Sequence, residues 1–82
     1  MTPEALAHAL RACGIPVKAI YLGTGATDPE VELNDEWSVV PDTDRFWLHL
    51  WDPTKDTLTT FGPYGNINDL VKGIKRESAG RL

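Results

Sequence analysis

Apolar residues recur along this chain at two different periods. Near the start, Leu6, Ala9, Leu10 and Cys13 are spaced three and four apart, and near the end so are Ile67, Leu70, Val71 and Ile74. That spacing places one apolar stripe on each of two helices. Thr2-Pro3-Glu4 suits a helix start: a hydroxyl cap, a proline where no N–H is needed, and an acid at the positive end of the dipole. Gly14 followed by Pro16 marks the stop. Asn66 and Asp69 stand in capping-box relation at the second start, and Lys72, Lys75 and Arg76 suit its negative end, although Gly73 interrupts the stripe.

Between the helices the pattern is that of strands. VKAIYL (17–22), EWSVV (36–40), Arg45 to Trp51 and TLTTF (57–61) read as strands, and EVEL (30–33) as a weak strand or an extended loop. GTGATDP, PDTD, DPTKD and GPYG separate them with turn chemistry. Strands joined by short turns pair antiparallel. The fold expected is α+β: a meander sheet of three to four strands with an N-terminal and a C-terminal helix packed on one face, in the order α-β-β-β-β-α. One domain is expected to span 1–82, with residues 78–82 frayed.

One strand breaks the alternation. Phe46, Trp47, Leu48, His49, Leu50 and Trp51 follow one another, so both faces of the strand are apolar or aromatic. Pairing Asp52 with Asp56 around the turn puts Phe46, Leu48, Leu50, Leu58 and Thr60 on one face. It puts Trp47, His49, Trp51, Thr57, Thr59 and Phe61 on the other. Two helices can cover only the leucine-rich face. The tryptophan face is then either closed by the segment around residues 23–36 or left as a binding surface.

Charge bears on what such a surface would bind. The net charge is −4, but it is unevenly placed. Residues 28–56 hold nine carboxylates against Arg45 and Lys55, a net −7, whereas both flanking segments are slightly basic. An acidic middle repels phosphate backbones and attracts basic protein surfaces. The single cysteine, Cys13, allows no internal disulfide, and no apolar run approaches the length of a membrane span. With no pattern of a secretory leader, a cytoplasmic protein is expected, in the host cytoplasm if viral.

Candidate chemistry is sparse. GTGATD (23–28) begins like a dinucleotide loop, but Asp28 and Pro29 stand where a third glycine and a helix are needed. The acids of DPEVELNDE lack the glycine of a calcium loop, and His8, His49 and Cys13 do not make a zinc set. Cys13 near a helix C-terminus is poorly placed to be a thiolate. Ser38, His49 and Asp52 could be assembled as a hydrolytic set, yet no oxyanion hole or nucleophile turn accompanies them. Base stacking on the aromatic strand would need a basic groove, and the neighbouring residues are Asp44, Asp52 and Asp56. No enzyme, metal or cofactor is expected, and no direct binding of nucleic acid or membrane.

What remains is a small acidic protein that binds and blocks a basic, nucleic-acid-binding protein. The expected contact residues are Trp47, His49, Trp51 and Phe61 at the centre, with Asp28, Glu30, Glu32, Asp35 and Glu36 as an anionic rim. In an extended segment Asp28, Glu30 and Glu32 would stand about 6.6 Å apart along one face and could imitate phosphates. Phage-encoded inhibitors of host defence, anti-CRISPR proteins among them, are similar in type: small, acidic and without motifs. The alternative is a homodimer or accessory subunit that uses the aromatic face for assembly.

Overall fold

Both helices start and stop where their sequences supply partners for the free backbone groups. In α1 (Pro3–Ala12) the Thr2 hydroxyl accepts the Ala5 N–H at 3.1 Å, and Pro3 occupies the first turn. At its end Gly14 takes φ +80°. The Gly14 N–H then reaches the Arg11 carbonyl at 3.0 Å and the Ile15 N–H the Leu10 carbonyl at 2.9 Å, which buries Ile15 against the helix. In α2 (Ile67–Glu77) the Asn66 side-chain oxygen accepts the Asp69 N–H at 2.8 Å, and its amide donates to the Asp69 carboxylate at 3.2 Å. Asp69 thus returns a bond to the Asn66 side chain rather than to its backbone N–H, so only the Asn66 half of a capping box is made. Residues 78–82, expected to fray, instead close the helix. Ala79 adopts φ +54°, the Gly80 N–H bonds the Lys75 carbonyl at 3.1 Å, Ser78 is buried and Leu82 packs against the core.

The structure, a computed structural model, describes residues 1–82. Between the helices lie β1 (Ala19–Tyr21), β2 (Glu30–Glu32), β3 (Trp37–Asp42), β4 (Arg45–Asp52) and β5 (Thr57–Tyr64). They form one antiparallel sheet in the order β1-β2-β3-β4-β5. The architecture is the expected α+β meander, with five strands rather than three to four. The additional strand is EVEL, whose Val31 is fully buried opposite Val39 while Glu30 and Glu32 face the other way.

Two adjacent rows across the sheet show how its faces divide. Ile20, Val31, Val39, Leu48 and Phe61 lie side by side on the core face. One residue along, Ala19, Glu32, Ser38, His49 and Thr60 lie side by side on the opposite face. Both helices pack on the first face: Leu6, Leu10, Leu70 and Ile74 join Val31, Val39 and Leu48 as fully buried side chains of one core. Tyr64 lays its ring across α2 at Gly73, where a Cβ would stand 2.6 Å from Tyr64 Cε1. The glycine that interrupts the helical stripe is thus the seat of an aromatic ring.

The β4–β5 register differs by one residue from the expected pairing. Asp52 lies opposite Thr57, not Asp56. Asp56 stays in the turn at φ +52°, and the Asp52 carboxylate accepts the N–H groups of Thr54 and Lys55 at 3.0 and 3.2 Å. The loop is therefore one residue longer. That shift exchanges the two faces of β5: Leu58 moves opposite Trp51 and Phe61 opposite Leu48. A bulge follows, since Gly62 and Pro63 together oppose Trp47, and pairing resumes at Phe46 with Tyr64. The extra residue lets Phe61 and Tyr64, three apart, both face the core.

Candidate functional site: an uncovered sheet face

The face opposite the helices carries Tyr21 on β1, Glu30 and Glu32 on β2, Ser38 and Val40 on β3, Trp47, His49 and Trp51 on β4, and Leu58 and Thr60 on β5. The segment 23–36, one candidate cover for this face, does not fold over it. Its middle is β2, a member of the sheet, and the loop before it is held by local bonds: the Thr24 hydroxyl accepts from Ala26 and Thr27 at 3.1 and 3.2 Å. Tyr21, Trp51 and Leu58 are 50%, 39% and 55% exposed.

Trp51 and Leu58 are cross-strand partners and form the apolar centre of the face at the β5 side. Trp47 is engaged at the other end. Arg45 lies with its guanidinium 5.5 Å from the Trp47 ring centre, the Arg45 Nε donates to Asp42 at 3.1 Å, and the Trp47 indole N–H donates to the same carboxylate oxygen at 3.4 Å. The Thr43 backbone N–H, then Arg45, then the indole hold the Asp42 carboxyl below its usual range. Phe61, expected beside the tryptophans, is instead on the core face, stacked on Trp37 with ring centres 6.0 Å apart at 25°. Its place on the open face is taken by Leu58, which the assumed register had turned inward.

The five expected rim acids separate into three positions. Glu30 and Glu32 stand on the open face itself, two residues apart on β2. Asp28 is exposed in the loop before β2, so the regular row of three shortens to two. Asp35 and Glu36 occupy the β2–β3 turn, which Asn34 shapes by accepting the Glu36 and Trp37 N–H groups, each at 2.8 Å. Lys18 binds Asp35 and lies 3.5 Å from Glu32, and its ammonium holds the Asp35 carboxyl below its usual range. Glu36 carries no ion pair, and its carbonyl accepts the Trp51 N–H at 2.7 Å, which places it directly across from that indole. Glu30, Glu32, Glu36, Ser38 and Trp51 border a shallow hollow of about 200 Å³.

Of the candidate hydrolytic set, Ser38 and His49 do face each other across β3 and β4. Asp52 lies on the alternate face of β4 and its carboxylate is occupied by the turn. Cys13 is partly buried at the end of α1. No helix is long and apolar enough to cross a membrane. Compared with protein-family models, curated proteins and solved structures, the chain finds no match.

Proposed function

We propose that the chain is a small non-enzymatic protein that binds a basic, nucleic-acid-binding protein through the open sheet face and blocks its site. The observation that carries this reading is the pairing, on one uncovered face, of exposed Trp51 and Leu58 with Glu30, Glu32 and Glu36. Tryptophan is enriched among residues that dominate interface energies, and a patch of exposed apolar side chains rimmed by charge marks interaction surfaces. The carboxylates select a basic partner and steer it, and they turn phosphate away. In this reading the protein acts in the cytoplasm as an inhibitor of the kind phages direct at host defence.

Affinity capture from the source cell tests the proposal, with wild type beside Trp51→Ala and Glu30→Gln/Glu32→Gln. The expected result is a basic protein retained by wild type and reduced at least tenfold by either variant, and displaced from its nucleic acid by wild type. Capture that is indifferent to both variants would overturn the reading.

A second reading rests on a separate observation. β5 is an edge strand, and its first four residues, Thr57-Leu58-Thr59-Thr60, are all exposed and uncharged. Long uncharged edges invite pairing with another strand. A homodimer or accessory subunit assembled through this edge would pair the Thr57–Thr60 backbone and place Leu58 beside the added strand. Sedimentation decides: a tight dimer made monomeric by Leu58→Lys would replace the first reading.

A further inference from the structure

The backbone of β5 offers bonds that the sheet does not use, and the ladder fixes which residues carry them. The Trp51 N–H bonds the Glu36 carbonyl at 2.7 Å, so the backbone of Trp51 is turned toward β3. In an antiparallel ladder bonded and unbonded pairs alternate. Leu58 lies opposite Trp51 and Thr60 opposite His49, so both belong to unbonded pairs of the β4–β5 ladder. The N–H and C=O groups of Leu58 and Thr60 therefore point out of the sheet edge, while those of Thr57 and Thr59 turn inward to Asp52 and Leu50. This stretch is bounded by the left-handed Asp56 on one side and by the Gly62-Pro63 bulge on the other. Between them no side chain is charged, and Thr57, Leu58, Thr59 and Thr60 are exposed whichever face they point to. Charge, proline, a bulge or a covering element would guard such an edge, and none lies within it. The opposite edge, β1, is only three residues long.

We infer that this edge receives an extended segment of the partner as a further strand of the sheet, held by backbone bonds to Leu58 and Thr60. The inference rests on the basic-partner reading and adds the conformation of one segment recognised. Two observations select the partner over a second copy of this chain. Leu58 belongs to the edge through its backbone and to the open face through its side chain, beside Trp51, so a partner seated on the open face is continuous with the edge. A second copy, turned about a two-fold axis at Thr59, would pair only Thr57 to Phe61 and leave both open faces uncovered. Thr57 and Thr59 are exposed on the helix side, so α2 does not reach the edge to add to that contact. It falls well short of the about 20–30 residues a side of a stable interface. In strand addition the backbone supplies affinity and alternate side chains supply selectivity. The segment's residues beside Leu58 and Thr60 are apolar, extending the exposed patch, and those beside Thr57 and Thr59 are polar.

Thr60→Pro tests the edge. It removes an outward N–H and no bond of the β4–β5 ladder, a position where an edge strand tolerates proline. Thr60→Val keeps the N–H and controls for the side chain. Thermal melts show that each variant is folded, and Leu58→Pro replaces Thr60→Pro if that variant is not. A displayed library of short linear peptides is selected against the full chain, and the affinity capture is repeated with both variants. The inference expects peptides with apolar residues at alternate positions that bind in extended form and slow hydrogen exchange at the Leu58 and Thr60 amides. It expects them to lose at least tenfold in affinity to Thr60→Pro and none to Thr60→Val, and the captured basic protein to fall by the same factor with Thr60→Pro. Capture that falls with Glu30→Gln/Glu32→Gln but not with Thr60→Pro overturns the added strand while leaving the basic-partner reading in place. Capture that falls with Thr60→Pro but not with the glutamate variant supports the added strand and overturns the basic-partner reading. A library that yields no peptide sensitive to Thr60→Pro overturns the inference. So does protection of the two amides that grows with concentration in the free protein, which puts a second copy on the edge.

Discussion

Leu48 and Leu58 lie on neighbouring strands, yet the register gives them opposite fates. Leu48 is fully buried and Leu58 is 55% exposed. Leu48→Ala should therefore cost about 2–5 kcal/mol of stability, as deletions in a closed core do. Leu58→Ala should stay within about 0.5 kcal/mol, as surface changes do. Urea titration of both variants checks the register directly, because the one-residue alternative buries Leu58. Asp42 offers a second residue-scale test. Its carboxyl is held below the usual aspartate range by the Thr43 N–H, then Arg45, then Trp47. Since the folded value is the lower one, its stabilising contribution is complete above the unfolded value and is lost as pH falls through the folded value. The Trp47 indole N–H resonance should titrate with a midpoint below that of an ordinary aspartate, and Asp42→Asn should abolish that step. A midpoint at or above the ordinary carboxylate value would show that the Arg45–Asp42–Trp47 cluster does not persist in solution.

At the scale of the elements, α2 and β5 are joined by a fit between Gly73 and the Tyr64 ring. Glycine in a helix interior costs about 1 kcal/mol relative to alanine. Gly73→Ala should still destabilise, by about 1–3 kcal/mol, because the new methyl overlaps the ring. In a Tyr64→Ala background the same substitution should reverse sign and stabilise by up to about 1 kcal/mol. A double-mutant cycle measured by urea unfolding gives the coupling, and an unchanged sign would show that Tyr64 does not rest on Gly73. The bulge at Gly62-Pro63 makes this contact available, since without the extra residue Tyr64 would point to the open face. The same strand therefore supplies Leu58 to the open face and Phe61 and Tyr64 to the core.

For the molecule as a whole, the division of charge matters most. The acidic stretch 28–56 includes β2, β3 and β4, the middle of the open face, while Lys72, Lys75 and Arg76 lie on α2 behind the sheet. A phosphate-binding face needs cations beside its aromatics. The isolated protein should show no binding to labelled single- or double-stranded DNA or RNA at physiological salt. Fluorescence anisotropy measures this, and micromolar or tighter binding would turn the aromatic face into a stacking platform. Association with a basic protein should instead slow as salt rises, because exposed charges are screened within about 8 Å at physiological ionic strength.

The helices, both their starts and the stop of α1, the strand order and the placement of both helices on one face were legible in the sequence, because each follows from local spacing and from turns too short to reorder the strands. Thr2, Gly14 and Asn66 act on backbone groups within a few residues of themselves. That Trp47, His49 and Trp51 would share a face was equally legible, because alternation along one strand is local. The partners across the β4–β5 turn were not. Whether Asp56 pairs or turns is decided by a left-handed conformation at φ +52°, and a shift of one residue there exchanges Leu58 and Phe61 between surface and core. Nor could the sequence decide the use of residues 23–36. Pairing of Val31 with Val39 makes that segment a strand of the sheet instead of its cover, and this long-range contact leaves the tryptophan face open.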